Sequence, residues 1–371
     1  MENLVTMDAA TTDLRAAYAG KRVFLTGHTG FKGAWLLQWL HLLGAEVKGY
    51  ALAPETPEDL YHLIGGDTLC ESVLADVRDA ARLEREMQAF APDFVFHLAA
   101  QPLVRRSYEI PAETFAVNAL GTAHVLDAVR CLGGRPCTVV LITTDKVYEN
   151  QEWVYPYRET DRLGGYDPYS ASKACAELVI HSYTQSFFNP ADLARHRTGV
   201  ASARAGNVIG GGDWARDRIV PDIVRALRAG RPVTVRNPLA VRPWQHVLEP
   251  LSGYLRLGAR LAADPARYGG AWNFGPQADD NKVVEALVQA ALRTWGHGTY
   301  DKPALENQPH EAGLLKLDIS RAVTQLGWQP QYPAETAIAR TLDWYKAHQE
   351  QPAAIRAFTI QQINAFAAHV R

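Results

Sequence analysis

Short apolar runs alternate with amphipathic segments through the first half of the chain. The run RVFLT (22–26) predicts a buried strand, and AWLLQWLHLLG (34–44) repeats leucine and tryptophan at the spacing of one helix face. Further runs of strand length follow at 46–52, 71–76, 93–100, 138–144 and 199–205. Repeated strand-helix-strand units predict an α/β fold with a Rossmann-type, doubly wound parallel sheet.

The residue composition of the sequence changes near Gly206. Connections rich in glycine, proline and arginine, such as GNVIGGGDW and RNPLAVRPWQH, are mixed there with short helices. Because ligands of this fold class bind at the carboxyl ends of the strands, we expect a smaller C-terminal α/β substrate-binding domain over that edge. The expected boundaries are an N-terminal extension at 1–19, a dinucleotide-binding domain at 20–205 with a return segment near 243–276, and a second domain at 206–242 and 277–371.

Charge and cysteine content argue against several classes of function. The 371 residues carry 38 basic and 40 acidic side chains, a net charge of -2, which leaves no excess positive field for nucleic acid or an anionic membrane. The four cysteines show no CxxC pairing, which argues against a metal site and a secreted disulfide scaffold. The N-terminus lacks a signal-peptide pattern and no apolar run reaches the ~20 residues of a membrane span, so we expect a cytoplasmic protein.

The segment LTGHTGFKG (25–33) predicts a dinucleotide site. It places Gly27, Gly30 and Gly33 three residues apart between a strand and a helix. Glycines allow a tight turn and a close approach of the backbone to a pyrophosphate at the helix N-terminus. The GxxGxxG spacing is typical of short-chain dehydrogenase/reductases. No acidic residue ends the second strand, and Glu55 lies beyond it, so ribose recognition stays open.

Other segments extend this expected NAD site. Asp76 and Val77 follow the third strand, where this superfamily holds the adenine edge, and small residues in HLAAQP lie beside the middle of the cofactor. His97, within a strand, is interpreted as a structural histidine. The predicted cofactor-binding residues are Gly27, Thr29, Gly30, Phe31, Lys32, Gly33, Asp76, Val77, Leu98, Ala99, Ala100, Gln101, Thr143, Tyr169 and Lys173.

The segment YDPYSASKACAELV (166–179) predicts the catalytic base. Tyr169 and Lys173 lie four residues apart at the start of a predicted helix, hence on one face. A phenol has a pKa near 10, so a nearby ammonium and the nicotinamide charge are expected to lower that pKa toward working pH. Lys173 is also expected to hold the nicotinamide ribose, and Thr144 to bond the substrate hydroxyl.

Several specific motifs resemble those of the CDP-glucose 4,6-dehydratases, an extended short-chain dehydrogenase/reductase family of deoxysugar biosynthesis. They include TTDKVYEN, GGYDPYSASKACAELV, RAGNVIGGGDWARDRIVPD and VRPWQHVLEPLSGYL, within a resemblance that spans about residues 20 to 350. GNVIGGGDW and RPWQHVLEPL are not shared by the superfamily at large.

The resemblance implies an internal redox cycle that serves deoxysugar and lipopolysaccharide synthesis. Tyr169 takes a proton from the sugar 4-hydroxyl while NAD accepts a hydride from C4. The ketone acidifies C5, water leaves from C6, and the hydride returns to C6. The resemblance also implies a dimer joined through helices around 112–132 and 168–188, or a tetramer made of two such dimers.

The resemblance does not settle which residue is the C5 base, and the adjacent Asp145 and Lys146 are the residues concerned. Related dTDP-glucose dehydratases have Asp-Glu here, as the C6-hydroxyl acid and the C5 base. Asp145 matches the acid, whereas Lys146 stands in place of the glutamate. A carboxylate alongside favours the charged ammonium, so we favour an electrostatic role for Lys146 over a role as the C5 base.

Arginines of the second half are the expected contacts of the substrate diphosphate, because their planar fork suits phosphate oxygens. The candidates are Arg204, Arg218, Arg236 and Arg242. By resemblance, Arg242 and Asn207 contact the diphosphate. Trp244 can be interpreted either as a wall of the base pocket or as a core residue. His310 and Glu311 are expected near the substrate pocket. The predicted substrate-binding residues for CDP-glucose are Asn207, Arg218, Arg236, Arg242, Trp244 and His310.

Other functions are compatible with parts of this pattern. Sugar-nucleotide epimerases share the fold and the Tyr-Lys pair but lose no water, so Asp145 favours dehydration. A dehydratase for another nucleotide sugar stays open. A dinucleotide-binding sensor would need the glycine loop alone, and the joint presence of Thr144, Tyr169 and Lys173 favours an enzyme.

Overall fold

A parallel sheet of seven strands forms the centre of the protein. The computed structural model describes residues 9–280, 282–303 and 314–369. The sheet strands are β1 (Arg22–Thr26), β2 (Glu46–Ala51), β3 (Glu71–Leu74), β4 (Phe94–His97), β5 (Cys137–Ile142), β6 (Thr198–Ala205) and β11 (Gly270–Phe274). Short strands form two-residue pairs elsewhere: β7 (Val208–Ile209), β8 (Val233–Thr234), β9 (Val241–Arg242), β10 (Gln245–His246), β12 (Lys282–Val283) and β13 (Tyr300–Asp301).

Helices cover both faces of this sheet. They are α1 (Ala9–Tyr18), α2 (Phe31–Leu42), α3 (Leu60–Leu63), α4 (Ala80–Phe90), α5 (Val104–Glu109), α6 (Pro111–Phe115), α7 (Gly121–Arg130), α8 (Pro168–Ser186), α9 (Leu193–His196), α10 (Ile219–Arg228), α11 (Leu248–Ala263), α12 (Pro265–Tyr268), α13 (Val284–Trp295), α14 (Ala334–Glu350) and α15 (Ile355–Ala367). Single π-helical turns occupy Ala116–Leu120 and Ala322–Leu326. One apolar core includes α2 and α11, and a second includes α4, α7 and α8, so a core lies on each side of the sheet.

The strand order confirms the predicted doubly wound sheet. It runs β11-β6-β5-β4-β1-β2-β3, and every neighbouring pair is parallel. The order reverses between β1 and β4, which is the place where open α/β sheets bind ligands. β11 lies within the predicted return segment near 243–276. We propose the domain boundaries expected from the sequence. Residues 304–313 of the second domain lie outside the described residues.

The helix after the glycine loop is more deeply buried than its sequence predicts. The spacing at 34–44 indicates one apolar face, whereas every residue from Gly33 to Leu40 in α2 is buried. The cause is that α2 contacts β1 and β2 as well as α11 and α15, which leaves little of its surface to solvent. Trp35 donates from Nε1 to the Gly211 carbonyl at 2.9 Å, so its polar atom is satisfied inside the core.

The glycine loop itself is held by close backbone packing. Gly27 has a φ of 75°, a left-handed conformation that favours glycine. A Cβ on Gly33 would lie 1.9 Å from the Gly27 carbonyl oxygen, while a Cβ on Gly30 would meet that oxygen only at 3.5 Å. Gly33 is therefore required by the turn, whereas Gly30 has room for a methyl group.

Gly33→Ala is expected to lower the free energy of unfolding by at least ~1–3 kcal/mol, because the clash is with a main-chain oxygen that cannot rotate away. Alanine has a higher helix propensity than glycine, so a loss of stability in Gly33→Ala would have to come from packing. Urea unfolding of the unliganded protein measures it. The matched variant Gly30→Ala should change stability by less than about 0.5 kcal/mol. Equal effects of the two substitutions would contradict the packing argument.

Candidate active site

The carboxyl ends of β1 and β4 form one wall of the site. The hydroxyl of Thr26 accepts the backbone N–H groups of Leu98 and Ala99 at 3.1 and 3.2 Å, and it is 2.7 Å from His97 Nδ1. A Cβ on Gly27 would lie 2.7 Å from the Ala99 nitrogen, so the two loops are in direct contact. His97 is buried, and burial lowers its pKa to about 3. Its position agrees with the structural role expected from the sequence.

A buried asparagine joins this wall to the catalytic helix. Asn118 Oδ1 accepts the Gln101 N–H at 2.9 Å, and its Nδ2 donates to the Ser172 hydroxyl at 2.8 Å. The Gln101 amide donates to Leu103 and Thr114 and accepts from Leu103 N–H, so it is used within its own loop. The sequence analysis did not identify Asn118. The available signal was a polar residue inside the apolar stretch AVNAL.

Other predicted cofactor residues surround the glycine loop. Thr29 donates to the Leu52 carbonyl at 2.8 Å and so ties the loop to the end of β2. Phe31 lies beside Gly210, and Val77 is buried against Gly121. Asp76 accepts the side chain of Arg78 at 2.6 Å, and this hydrogen bond lowers the pKa of the carboxyl. Ala100 is half-buried in the same wall as Ala99.

Asp145 is a carboxyl group held away from water. It follows β5 and is only 1% exposed. Its Oδ1 accepts the Thr144 hydroxyl at 2.9 Å, and its Oδ2 is buried with no hydrogen-bond partner among the described residues. Burial raises the pKa of Asp145, while the charges of Lys146 and Arg242 oppose the rise. A carboxyl in these surroundings can keep a proton until a substrate oxygen accepts it.

Tyr169 and Lys173 lie on α8 as their spacing predicts, but their electrostatics differ from the expectation. Burial raises the pKa of Tyr169 to about 12, against a hydrogen bond with Thr144 and the charge of Arg218. Lys173, expected to lower that pKa, donates instead to the Ile142 carbonyl at 3.2 Å. Burial lowers the pKa of Lys173 to about 8. The base therefore needs more positive charge than α8 supplies.

Two further cations lie near this centre. Burial, together with the charges of Lys173 and Arg218, lowers the pKa of Lys32 to about 7. Arg218 donates to Asp213 at 2.8 Å, and its pKa is raised overall, although burial alone would lower it, because Asp213 lies beside it. Repulsion among these partly buried cations is relieved when an anion binds. The cation cluster and the glycine turn therefore fit a ligand that carries a pyrophosphate.

The two motifs of the expected substrate pocket pair with each other. The Asn207 carbonyl accepts the Gln245 N–H at 3.0 Å, and β7 pairs with β10 in parallel. Arg242 is buried in β9, and its charge acts on Asp145. Asp145 also lies beside Gly206, whose Cβ would be 3.1 Å from Oδ2. The structure thus brings Asn207 and Arg242 to the same side of the site as the candidate acid.

Trp244 belongs to the apolar core. It is 5% exposed, and its Nε1 is buried without a hydrogen-bond partner in the described part of the chain. Of the two interpretations left open by the sequence, burial favours the core residue. His310 and Glu311 lie outside the described residues, so their expected places near the pocket stay predictions.

Arg204 and Arg236 form ion pairs with carboxylate side chains, which would compete with phosphate for the two guanidinium groups. Arg204 donates to Glu177 Oε2 at 2.8 Å and to the Tyr148 hydroxyl at 2.9 Å, all within the buried interior. Glu177, which the sequence analysis missed, also accepts the Thr143 hydroxyl at 2.5 Å. Although burial raises the pKa of Glu177, Arg204 holds it below its usual value. The expectation that Arg204 binds diphosphate is therefore replaced by a structural role.

Arg236 is only partly exposed and contacts two carboxylates. It donates to Asp217 at 2.7 Å and to Asp222 at 3.1 Å. A phosphate would have to compete with both, which weakens the case for Arg236 as a substrate contact.

Searches for a metal site and a membrane segment gave no candidate within the described ranges. No group of three or more histidine, cysteine, aspartate or glutamate side chains there is arranged to hold a metal ion. No helix there combines the length and apolar character needed to cross a bilayer.

Arg204→Met is expected to lower the free energy of unfolding by about 3–5 kcal/mol, because it leaves the Glu177 carboxylate buried without its cation. Chemical denaturation near pH 7 measures the loss. Arg236→Met is the matched control, and loss of its partly exposed ion pairs should cost less than about 1 kcal/mol. If Arg204→Met were as stable as the wild type but bound substrate poorly, Arg204 would return to the diphosphate site.

Comparisons with known proteins identify the family of this chain. A family model described as GDP-mannose 4,6 dehydratase matches residues 24–266. The CDP-glucose 4,6-dehydratase of Salmonella typhimurium is 51% identical over 330 residues, which are 89% of this chain and 92% of that protein. The dTDP-glucose 4,6-dehydratase of Streptomyces antibioticus is 30% identical over 336 residues, which are 87% of this chain and 92% of that protein.

A solved structure shows the same architecture. The dTDP-glucose 4,6-dehydratase of Streptomyces venezuelae, crystallised with NAD bound, superposes with a TM-score of 0.75 at 25% identity. The match covers 90% of this chain and 99% of that one. Fold, catalytic geometry and extended sequence identity lead to one assignment: this chain belongs to the family of sugar-nucleotide 4,6-dehydratases.

Proposed function

We propose that this chain dehydrates CDP-D-glucose to CDP-4-dehydro-6-deoxy-D-glucose, with NAD as a bound catalyst. The observation that carries dehydration is the buried Asp145, a carboxyl with a raised pKa beside Thr144. An epimerase has no step that needs such an acid. The nucleotide is inferred from the 51% identity with the Salmonella typhimurium enzyme of that name.

The glycine loop and the wall formed by β1 and β4 would hold the cofactor. Gly27 and Gly33 keep the backbone of the turn close enough for a pyrophosphate, and Lys32 adds positive charge behind it. Bound NAD would supply the hydride acceptor for C4, a positive charge beside the phenol, and the hydride donor for C6. Lys173 would bond the ribose next to that ring.

Tyr169 would start the reaction by removing the proton of the sugar 4-hydroxyl. Because burial raises its pKa to about 12, the phenolate needs nearby positive charge, which Arg218 provides in part. Thr144 lies between Tyr169 and Asp145 and would hold the same hydroxyl in line. The product of this step is a C4 ketone, which makes the C5 proton acidic.

Asp145 would then protonate the C6 hydroxyl so that it leaves as water, while the acidified C5 proton passes to solvent and the electrons of the C5–H bond form the C5–C6 double bond. Its Oδ2 has no other partner among the described residues, so it can face the substrate. Lys146 lies on the turn Asp145–Val147, and its N–H donates to Thr144 at 3.4 Å. Its ammonium would stabilise the enolate that develops at the C4 oxygen. The effect of Lys146 on the pKa of Asp145 is that of a nearby positive charge, which supports this role.

Arg242 and Asn207 are the proposed diphosphate contacts, with Arg218 at the catalytic end of the sugar. Arg242 is buried near Asp145, and the Asn207 strand pairs with the strand that follows Arg242. This arrangement supports a diphosphate and reacting carbons bound in adjacent parts of one pocket. The selection of cytidine over other bases stays a proposal from sequence identity.

We further propose a homodimer or homotetramer in the cytoplasm, within deoxysugar and lipopolysaccharide synthesis. The dimer surface would be formed by α6, α7 and α8, in the ranges expected from the sequence. Leu120, at the end of the π-helical turn between α6 and α7, and Leu178 on α8 are more than half exposed, as apolar side chains at an interface are before assembly. No partner from nucleic acid or membrane enters this proposal.

Turnover of CDP-, UDP-, GDP- and dTDP-glucose in parallel should be fastest with CDP-glucose, and the product should show the alkali-sensitive absorbance of a 4-keto sugar.

Tyr169→Phe should keep its fold and its NAD binding but lose more than tenfold in kcat, about 1.4 kcal/mol or more, because the base is gone. Equal rates with dTDP-glucose would refute the CDP assignment, and an active Tyr169→Phe enzyme would refute the base.

Asp145→Asn and Lys146→Met separate the two halves of the elimination. Asp145→Asn should still oxidise C4 but fail to expel water, so the absorbance of reduced nicotinamide builds up in a single turnover. Lys146→Met should slow elimination while exchange of the C5 proton with deuterated solvent persists. Loss of C5 exchange in Lys146→Met, with oxidation intact, would make Lys146 the C5 base and overturn the electrostatic role.

A further inference from the structure

A small cavity lies next to the strand that carries the substrate motif, between β10 and the C-terminal helices. His246, Tyr332, Arg340, Phe358, Gln361 and Gln362 line it. Its volume is about 370 Å³, including the mouth that opens to solvent. Arg340 and Gln361 are exposed at the mouth, whereas His246 is fully buried. None of these residues belongs to the catalytic site described above.

The buried end of the cavity presents an N–H donor without a partner. The Leu248 N–H donates to His246 Nδ1 at 3.4 Å, so Nδ1 is the unprotonated nitrogen. Burial and the charge of Arg340 lower the pKa of His246 to about 3, so the ring is neutral near pH 7 and its single proton lies on Nε2. Nε2 has no hydrogen-bond partner among the described residues. Such a buried donor requires an acceptor.

The rest of the lining adds a cation and a second unpaired polar atom. The guanidinium of Arg340 is close enough to act on His246. Gln362 donates from Nε2 to the Arg340 carbonyl at 2.8 Å, which leaves its buried Oε1 without a partner in the described structure. Tyr332 and Phe358 supply apolar surface between these groups.

A neighbouring carboxyl group does not oppose an anion here. Glu249 accepts the N–H groups of Gln331 and Tyr332 at 2.6 to 3.0 Å. Burial raises the pKa of Glu249 to about 8, so it is mostly uncharged near neutral pH. A monoanion therefore meets one neutral donor, one cation and one amide oxygen.

We propose that this cavity binds a small organic carboxylate that also bears a hydroxyl group. Its carboxylate would accept from His246 Nε2 and Arg340, and its hydroxyl would donate to Gln362 Oε1. Hydrogen phosphate is a dianion that would face a single cation here, Arg340, so a monoanionic 2-hydroxy acid is the better match.

The cavity is connected to the proposed substrate pocket through the backbone. His246 pairs with Ile209 in the parallel β10-β7 ladder, and Gln245 donates to the Asn207 carbonyl. A carboxylate that fixes His246 would fix both strands next to Asn207 and Arg242. Occupancy is thus expected to lower KM for the sugar nucleotide. This effect rests on the proposed function, whereas binding of the carboxylate does not.

Binding is tested with sodium lactate, followed by tryptophan fluorescence, because the Trp35 ring lies 6.0 Å from the His246 ring. Lactate should give a saturable change, acetate a weaker one, and phosphate or chloride at equal ionic strength none. Arg340→Gln should weaken lactate binding at least about tenfold. Arg293→Gln, an exposed arginine outside the cavity, is the matched control and should bind as the wild type does.

Two substitutions at the buried end distinguish a hydrogen bond from simple packing. His246→Gln places an amide N–H near the position of Nε2 and should retain binding, whereas His246→Phe keeps the ring and should abolish it. If these variants do not fold, the exposed Arg340→Gln still decides. A response to lactate that does not saturate, that chloride or phosphate reproduces, or that Arg340→Gln leaves unchanged would overturn the proposal, whatever the outcome of the turnover assays.

Discussion

A chain of buried hydrogen bonds fixes the catalytic helix relative to the cofactor loop, and the geometry of the site depends on it. It runs from Thr26 through His97, Thr122, Asn118 and Ser172 to the Tyr169 carbonyl, in steps of 2.7 to 3.2 Å. Each step satisfies a polar group that is out of water, and an unsatisfied one would cost about 1–3 kcal/mol. The fixed position of Tyr169 is therefore a consequence of polar groups buried beneath it.

The burial that makes this chain necessary also sets the protonation states of the site. Desolvation raises the pKa of Asp145 and Tyr169 and lowers the pKa of Lys32 and Lys173, so each group is pushed toward its neutral form. A site of this kind favours ligands that bring charge with them. Phosphates would restore the charged lysines, and a cationic ring would make the phenolate accessible. Catalysis and ligand binding are thus coupled by the same desolvation.

Local patterns were sufficient for the fold and for the positions of the glycine loop and of the Tyr169–Lys173 pair. Strand and helix periods give the parallel sheet, glycine spacing gives the loop, and a four-residue interval puts Tyr169 and Lys173 on one helix face. Partners far apart in sequence were not accessible in this way. Glu177 meets Arg204 only because α8 packs beneath β5 and β6, and nothing near Arg204 in the sequence indicates a carboxylate. The sequence therefore led to an assignment of Arg204 to phosphate, whereas in the structure Arg204 completes a buried ion pair.

The pair Asp145 and Lys146 shows how a change of residue type can be accommodated by burial. A lysine beside the acid lowers the pKa of Asp145 and would by itself make it a poorer proton carrier at neutral pH. Complete burial acts in the opposite direction and is the larger effect. Burial therefore favours the protonated acid despite the ammonium beside it, and that ammonium would be available to the developing enolate. In this site a cation can lie beside the candidate acid because the acid is kept out of water.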